Sequence, residues 1–506
     1  MHHFDVVIVG AGISGIGAAY HLQSKCPGKT YTILEGRDAI GGTWDLFRYP
    51  GIRSDSDMHT LGYNFKPWRE AKAIADGPAI RRYVNETADE NGITSHIRFK
   101  HSVKAAAWST EDSRWTVDAE TGDAGERVQF SCNFLFMCSG YYSYENGYLP
   151  EFKGIEQFQG ELVHPQQWPE DLDYSGKRVV VIGSGATAMT LVPAMAKDVA
   201  SIIMVQRSPT YVVSAPAKDV IANVLRKILP ERWAYGITRW KNVQMTRRIY
   251  NMTRTNPAKV KRKLLGMVRK ELDADLVETH FTPSYDPWDQ RLCLIPDSDL
   301  FNAINSGKAS VVTDHIECFT ETGLKLKSGA ELDADIIVTA TGLNLIILGG
   351  AQFSVDDEPV DFSETYAYKG MMYSNVPNLA QTFGYINASW TLRADLTSEY
   401  VCRLLNHMDE LGTSQCTARL REEDMGMESR PWIVDFSAGY MQRVMHLFPK
   451  QGDRDPWRNT QNYTLDKKMI RHAPLEDGAL IFENPDAQTD QVESPPVDSV
   501  REQTAA

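Results

Sequence analysis

The chain has 506 residues, 42% of them hydrophobic and 24% charged, with a formal net charge of −13. Its length indicates two or three domains, whose apolar cores need no disulfide or metal support. The acidic balance argues against a general nucleic-acid-binding protein, and no stretch approaches the ~18 uninterrupted apolar residues of a membrane-spanning helix. The seven cysteines form neither a CxxC pair nor a zinc-binding spacing, and the N-terminal apolar run is too short for a signal peptide. We therefore expect a cytoplasmic protein with reduced thiols and no metal site.

The N-terminal residues predict a βαβ unit that binds a dinucleotide. A β-rich run at Asp5–Val9 leads into a glycine-rich loop and a helical pattern, and the next β-rich run ends at Glu35. A carboxylate at this position can accept hydrogen bonds from both ribose hydroxyls and repels a 2′-phosphate, which favours FAD. The loop provides Gly10 for a tight turn, Gly12 for close approach to a pyrophosphate, Ser14, and Gly15 for packing of the helix on the strand.

A second unit of the same kind follows. Arg178–Ile182 and Ile202–Val205 have the character of strands, with a glycine-rich loop and a helical pattern between them. The second strand leads into Gln206 and Arg207 instead of a carboxylate, and an arginine there is a natural partner for the 2′-phosphate of NADPH. The alternative is that Arg207 is an ordinary surface arginine. The predicted NADPH contacts are Gly183, Ser184, Gly185, Ala186, Thr187, Ala188, Gln206 and Arg207.

Two further apolar runs indicate how the units are nested. Phe134–Cys138 and Asp335–Thr339 each lead into a glycine-containing turn, as expected of a strand that returns from an inserted domain to its parent sheet. We therefore predict an α/β protein with two Rossmann-like dinucleotide-binding domains, the second inserted in the first. The predicted boundaries are 1–144 and 336–483 for the two parts of the FAD domain, 145–335 for the NADPH domain and 484–506 for a disordered tail.

A basic segment lies inside the predicted NADPH domain, within a predicted helical insertion at 212–280. From Lys218 to Lys270 there are fifteen basic and two acidic residues, a net charge of +13 (15 − 2), and apolar residues recur at helical spacing from Ile221 onward. We favour the interpretation that this is a solvated insertion whose basic side faces water or the NADPH phosphates. The alternative is a surface that attracts anionic lipid and makes a peripheral contact with the inner membrane.

A motif just before the second glycine loop resembles that of a known family. Phe158, Gly160, His164, Trp168 and Pro169 match the fingerprint FxGxxxHxxxWP of the type I Baeyer–Villiger flavoprotein monooxygenases. The resemblance extends over nearly the whole chain and is greatest to the mycobacterial ethionamide-activating branch. Because the motif precedes a domain junction, we expect it to couple motion of the NADPH domain to the flavin site and not to perform chemistry.

The resemblance also implies roles for particular residues. Arg291 matches the active-site arginine, Asp55 matches the carboxylate that holds it, and Val103 matches a backbone contact to the FAD adenine. Many family members have a lysine directly before the active-site arginine, and this chain has Gln290 instead, which leaves Arg207 with more of the 2′-phosphate binding. Residues expected to lie along the flavin are Gly42, Thr43, Trp44, Asp45, Leu46, Arg53, Ser54 and Asp55.

The function implied by the resemblance is an FAD-dependent, NADPH-consuming monooxygenase. It would convert ketones to esters or lactones with O₂ through a flavin C4a-peroxide, and would also oxidise thioethers or thioamides. One alternative is a flavin-containing N- or S-monooxygenase without ketone activity. The others are a disulfide reductase, which would need a cysteine pair near the flavin, and a non-catalytic flavin sensor or membrane-surface protein. No pattern in the sequence predicts an oligomeric state.

Overall fold

A computed structural model describes residues 2–122, 124–434 and 436–485 of the chain. The tail predicted from 484 onward therefore lies almost wholly outside the described residues. The helices are α1 (Ile13–Lys25), α2 (Thr43–Leu46), α3 (Met58–Leu61), α4 (Gly77–Glu90), α5 (Ala186–Met195), α6 (Val220–Ile228), α7 (Glu231–Thr255), α8 (Pro257–Val268), α9 (Ala274–His280), α10 (Asp299–Asn305), α11 (Trp390–Leu411), α12 (Gly439–Gln442) and α13 (Tyr463–His472).

The strands fall into two large sheets and several small ones. In chain order they are β1 (His2–Val9), β2 (Tyr31–Leu34), β3 (Ile97–Arg98), β4 (His101–Ser109), β5 (Arg114–Thr121), β6 (Glu126–Met137), β7 (Tyr142–Gly147), β8 (Glu161–Val163), β9 (Arg178–Ile182), β10 (Ser201–Gln206), β11 (Val212–Ala215), β12 (Cys293–Pro296), β13 (Ala309–Thr313), β14 (Ile316–Thr320), β15 (Gly323–Leu326), β16 (Glu331–Asp333), β17 (Ile336–Thr339), β18 (Leu343–Leu345), β19 (Gln352–Val355), β20 (Glu358–Pro359), β21 (Ala367–Tyr368), β22 (Met372–Tyr373), β23 (Leu379–Gln381), β24 (Gln415–Ala418) and β25 (Leu480–Glu483).

The first large sheet combines residues from both ends of the chain. Its order is β20-β19-β4-β5-β6-β1-β2-β3, and β23 also pairs with β6. The strands β3, β2, β1, β6 and β23 run parallel, whereas β5 is antiparallel to both of its neighbours, β4 and the first half of the long strand β6. Parallel strands are covered on both faces and therefore carry continuous apolar runs. The buried residues Val6–Val9 of β1 follow this rule.

The second large sheet is entirely parallel, in the order β13-β10-β9-β17-β8. Ile336–Thr339, which was assigned to the second part of the FAD domain, pairs with Val179–Ile182 inside this sheet. The predicted boundary between 335 and 336 is therefore wrong, because it separates a central strand from its own sheet. The segment is indeed a returning strand, but it returns to the second sheet after the small sheet of β14, β15 and β16.

The two crossings between the large sheets lie side by side. The chain leaves the first sheet through β7 and comes back through β18, and these strands pair antiparallel, with Leu343 opposite Gly147 and Leu345 opposite Tyr142. The two crossings thus form one β-ribbon. Helices α6 to α9 occupy most of the predicted insertion and lie between β11 and β12, which pair with each other in parallel. Within the described residues, no helix is both long and apolar enough to cross a bilayer.

Candidate active site

The first glycine loop has the geometry of a pyrophosphate cradle. Gly10 has φ +103°, and a Cβ atom there would lie 2.7 Å from the carbonyl oxygen of Cys138 at the end of β6. A Cβ atom on Gly15 would lie 1.8 Å from the carbonyl oxygen of Gly10. Both positions therefore require glycine. Gly12 is less crowded, because the atom nearest to a Cβ placed on it is the Cα of Gly42, at 3.6 Å. This space lets an anion approach the backbone N–H groups at the start of α1.

Glu35 lies buried directly after β2, next to this loop. Its Oε2 accepts a hydrogen bond from the backbone N–H of Ala11 (2.6 Å), and its Oε1 accepts one from that of Arg37 (2.9 Å). Burial raises the pKa of Glu35 above its usual value. Hydroxyl donors from a bound ribose would favour the ionised carboxylate and oppose that effect. The start of β4 adjoins the same site, since the N–H of His101 donates to the Glu35 carbonyl (2.8 Å), which places the partly buried Val103 two residues further along.

The residues after Gly42 form the short helix α2 beside the loop. Thr43, Trp44 and Leu46 are partly buried, and Trp44 packs against the core under the first sheet. Asp45 is buried, and its carboxylate accepts hydrogen bonds from Arg37 (2.6 Å), Arg48 (2.7 Å) and Arg81 (3.0 Å). These arginines lower the pKa of Asp45 despite its burial. No motif marks these arginines: Arg81 lies 36 positions away and is brought to the carboxylate by the fold, whereas Arg37 and Arg48 are near it in sequence but follow no recognised spacing.

The second glycine loop repeats the geometry of the first. Gly183 has φ +133°, and a Cβ atom there would lie 2.3 Å from the carbonyl oxygen of Ala340, directly after β17. No atom lies within 4 Å of a Cβ placed on Gly185. Ala186 and Thr187 begin α5, and Ala188 is buried at the position of the third glycine. This loop therefore also fits a pyrophosphate at a helix N-terminus.

Gln206, the last residue of β10, and Arg207, which follows it, differ in their surroundings. The amide of Gln206 is buried and donates to the carbonyl of His280 (2.7 Å) and to Thr313 Oγ1 (2.9 Å). Its side chain therefore faces the protein interior and not the loop surface. Arg207 is exposed, and the adjacent Ser208 carbonyl accepts a hydrogen bond from Ser184 Oγ (3.4 Å) in the loop. The guanidinium is thus carried on a segment that touches the loop and is open to a ligand.

Residues 53–55 connect the two large units. Arg53 forms an ion pair with Asp299 of α10 and donates to the carbonyl of Met189 in α5 (3.3 Å). Its side chain therefore contacts the second unit. Ser54 is buried, and its backbone N–H donates to the carbonyl of Ala75 (3.0 Å). This anchoring fixes the backbone on which Asp55 is carried.

Asp55 and Arg291, although 236 positions apart in sequence, form an ion pair. Arg291 Nε donates to Asp55 Oδ2 (2.9 Å), and a second nitrogen of the guanidinium donates to the same oxygen. The Asp55 carboxylate raises the pKa of Arg291 well above its usual value. The guanidinium therefore remains charged at any working pH. Both side chains are only partly buried, so one side of the ion pair is accessible to a ligand.

Three tyrosines that no sequence motif marks lie near Arg291. Tyr141, Tyr142 and Tyr440 are close enough to interact electrostatically with the guanidinium. The hydroxyls of Tyr141 and Tyr142 lie 2.9 Å apart. Burial raises the pKa of Tyr440 to about 12, so its hydroxyl stays neutral. Tyr141 also stacks on Trp390, whose indole N–H donates to Ser14 Oγ (2.7 Å) at the start of α1.

The segment that ends in Arg291 is held by distant parts of the chain. Arg254 of α7 donates to the Pro287 carbonyl (2.8 Å) and to Asp289 (2.9 Å). The backbone N–H of Ser437 donates to the Asp289 carbonyl (2.7 Å). The helical insertion and the chain just before α12 therefore both fix the loop that presents the arginine.

The fingerprint histidine packs against the ribbon between the units. A Cβ atom on Gly147 of β7 would lie 1.8 Å from the ring of His164, and His164 Nε2 lies 3.2 Å from the carbonyl oxygen of Gly342, just before β18. Burial lowers the pKa of His164, so the ring is neutral near pH 7. Trp168 packs edge-on against Tyr174, with ring centroids 6.4 Å apart. These contacts place the motif at both crossings of the chain.

Two glycine loops, each following a parallel strand of a different large sheet, with an arginine–carboxylate pair where the units meet, define a two-dinucleotide oxidoreductase. The chain belongs to the flavin-binding monooxygenase-like family, whose model matches residues 73–414, and a model of an NAD(P)-binding Rossmann-like domain matches residues 8–76. The predicted fold class and the predicted kinship with flavin monooxygenases are confirmed.

Similar proteins agree with this assignment. The chain is 54% identical over 482 residues to the FAD-containing monooxygenase EthA of Mycobacterium tuberculosis, covering 95% of this chain and 98% of that protein. It is 53% identical to EthA of Mycolicibacterium smegmatis over 95% of this chain and 97% of that protein. Among solved structures, an oxidized steroid monooxygenase bound to NADP superposes with a TM-score of 0.69 at 25% identity, over 83% of this chain and 88% of that one. Cyclohexanone monooxygenase from Rhodococcus sp. Phi1 has the same fold, with a TM-score of 0.69 at 20% identity, over 84% and 87% of the two chains.

Proposed function

We propose that this protein is an FAD-dependent, NADPH-consuming Baeyer–Villiger monooxygenase that converts ketones to esters or lactones. The single observation that carries the proposal is the Arg291–Asp55 ion pair. It puts a permanent positive charge at the junction of two dinucleotide folds. A cation held in place in this way stabilises negative charge as it develops on a reacting oxygen.

The two glycine loops suggest one seat for each cofactor. FAD would lie on Gly10–Gly15, with its adenosine ribose at Glu35, the adenine near Val103 and the ring system toward Asp55. NADPH would lie on Gly183–Ala188, with its 2′-phosphate at Arg207. The cradle at Gly12, the open space at Gly185 and the opposite charges of Glu35 and Arg207 support this assignment. A structure of the complex with both cofactors checks every contact in it.

Bound FAD, reduced by NADPH, would supply the oxygen-activating chemistry. Arg291 would bind the carbonyl oxygen of the ketone and stabilise the negative charge that grows there as oxygen is inserted. Asp55 would orient the guanidinium by accepting two of its hydrogen bonds. The polar hydroxyl of Tyr440 would help to stabilise its charge. The surrounding tyrosine rings would keep bulk water from the reacting oxygen.

We infer that the substrate is a ketone and that thioethers are also oxidised. The rival activity, N- or S-oxygenation alone, uses the same cofactors but needs no fixed cation for an oxyanion, and the Arg291 pair therefore favours ketone chemistry.

A disulfide reductase would need a cysteine pair at the flavin. Cys26 lies after the C-terminus of α1, which is about 20 Å from the glycine loop at its N-terminus.

We also propose that the enzyme works in the cytoplasm and touches the inner membrane peripherally through the basic segment 218–270. The net charge of +13 in this segment, within a chain of −13, supports attraction to anionic lipid.

The activity is tested with Arg291→Ala. We expect the purified variant to retain yellow FAD and to be reduced by NADPH, but to form ester at least about a hundredfold more slowly, as for loss of one oxyanion donor. Gas chromatography of linear, cyclic and aryl ketone reactions measures the ester. Arg269→Ala is the matched control, because Arg269 lies at the surface and pairs with the exposed Glu278 (3.3 Å). Normal ester formation by Arg291→Ala, or sulfoxide without any ester from the unaltered enzyme, would overturn the proposal.

A further inference from the structure

The first two helices of the insertion expose a large share of the apolar surface. Of the eighteen large hydrophobic residues that are exposed in the described part of the chain, ten lie between positions 220 and 252. Ile228 is 68% exposed and Trp233 is 70% exposed. Apolar patches of this kind are costly in water and mark interaction surfaces. The ten residues are Val220, Ile221, Val224, Ile228, Trp233, Ile237, Trp240, Met245, Ile249 and Met252.

These side chains follow the helices on their outward side. In α6 the exposed positions recur at helical spacing and end at Ile228, while Ala222 on the other side is buried. In α7, Trp233, Ile237 and Trp240 follow the spacing i, i+4, i+7, and Ala234 and Tyr235 are buried. Both helices are therefore packed against the protein by one side and present an apolar side to solvent. We call the surface formed by Val220, Ile221, Val224, Ile228, Trp233, Ile237 and Trp240 the α6–α7 outer face.

The cations around this face have few acidic neighbours. Lys227, Arg232 and Arg248 are exposed on the same two helices. The acids of the basic segment are Asp219 and Glu231, which pair with Lys241 (2.7 Å) and Arg69 (2.6 Å). The outer face is therefore apolar in its middle and positive at its margin.

We propose that the α6–α7 outer face docks on a membrane that contains anionic lipid, with its tryptophans at the headgroup level. Helices with an apolar stripe, interfacial tryptophan and flanking basic residues lie in the plane of such an interface. A second copy of the chain fits the face less well, because it would bring together two segments that each carry +13. The inference rests on the proposed peripheral membrane contact and is independent of the ketone chemistry.

The experiment is co-sedimentation of the purified holoenzyme with vesicles of phosphatidylcholine, with and without phosphatidylglycerol, at low and high salt. We expect binding to the anionic vesicles alone, weakened by salt. The double variant Trp233→Ser/Trp240→Ser is expected to bind about tenfold or more weakly, since interfacial binding scales with buried apolar area. Lys227→Ala and Arg232→Ala are each expected to lose about fivefold in affinity.

The matched control is Met425→Ser/Leu447→Ser, which removes two side chains that are 75% and 50% exposed and lie outside the insertion. It is expected to bind vesicles like the unaltered protein. The inference would be overturned if both double variants bound vesicles equally well, or if the unaltered protein did not bind vesicles. It would also be overturned if the protein bound no vesicles but self-associated through the two tryptophans. Ketone turnover without vesicles is expected to be the same in all these proteins, so a failure here is distinguishable from a failure of the proposed activity.

Discussion

Arg207 and Glu35 occupy equivalent positions in the two dinucleotide folds, and their opposite charges are the sequence feature from which the cofactors were assigned. We predict that Arg207→Ala raises the Michaelis constant for NADPH about tenfold or more, because a charge-assisted contact to the 2′-phosphate is lost. The constant for NADH should change little. Steady-state kinetics with both nucleotides measures the difference, and an unchanged constant for NADPH would remove Arg207 from the site.

A suitable control is Arg178→Ala. Arg178 lies at the opposite end of the same sheet, where it pairs with Asp333 (3.0 Å) and Asp335 (2.9 Å). This variant should retain the nucleotide preference of the unaltered protein, even if its stability falls.

Tyr440 is a positioning residue for the arginine and is tested with Tyr440→Phe. Loss of the hydroxyl leaves the ring in place but removes a polar group that interacts with the Arg291 guanidinium, so we expect ester formation to fall about five- to tenfold. Flavin reduction by NADPH, followed by stopped-flow absorbance, should be unchanged. A merely structural role would slow both steps or neither. Tyr20→Phe serves as the comparison, because Tyr20 packs against Phe65 through its ring (3.5 Å between centroids).

The role of a residue could be predicted from its position in the sequence only where it stands at a fixed spacing from a strand. The loop glycines, Glu35 and Arg207 each stand at a fixed offset from a strand, so the sequence alone located them. The pairing of Asp55 with Arg291 could be expected only from the family resemblance, because no local pattern connects positions that far apart. Tyr440, and Arg81 beside Asp45, were missed for the same reason. Arg37 and Arg48 lie close to Asp45 in sequence and were missed because they follow no recognised spacing.

At the scale of elements, each glycine loop meets a carbonyl oxygen at the end of a returning strand. We predict that Gly10→Ala yields colourless protein, because its Cβ would strike the Cys138 carbonyl at 2.7 Å. Gly183→Ala should remain yellow and fail to be reduced by NADPH, because its Cβ would strike the Ala340 carbonyl at 2.3 Å. Absorbance spectra before and after NADPH addition distinguish the two. Gly266→Ala in α8 meets no atom within 4 Å and should behave as the unaltered protein.

The sheet to which a strand belongs was harder to predict than its existence. Phe134–Cys138 and Asp335–Thr339 look alike in sequence, and both are strands. An apolar run of this length does not reveal its pairing partner, which is decided by tertiary packing. That is why the predicted boundary at 335 fell one strand too early.

Periodicity had a similar limit in the insertion. The apolar spacing from Ile221 correctly predicted a helix. It did not predict which side of the helix the protein covers, and Ile221 is 55% exposed. An apolar periodicity indicates that a helix has an apolar side, but it does not indicate whether protein, solvent or a partner contacts that side.

For the whole molecule, the contact between His164 and the β-ribbon links the positions of the two units. We predict that His164→Ala retains FAD and binds NADPH normally but forms less ester per NADPH consumed, because the nucleotide unit is held less firmly over the flavin. Product yield against NADPH oxidation measures this coupling. His315→Ala, at an exposed histidine of the second unit, should keep the original ratio. An unchanged ratio in His164→Ala would limit the fingerprint to a structural role.

The ribbon of β7 and β18 also has an evolutionary consequence. Since the entry and exit of the nicotinamide-binding unit are neighbouring, hydrogen-bonded strands, that unit is attached to the rest of the enzyme as a cassette. Two nearby crossover points suffice to exchange it between relatives without breaking the sheet that bears the flavin loop. Because Arg291 lies between these two strands and its partner Asp55 lies outside them, an exchanged unit must bring its own arginine along with its nucleotide loop to rebuild the ion pair.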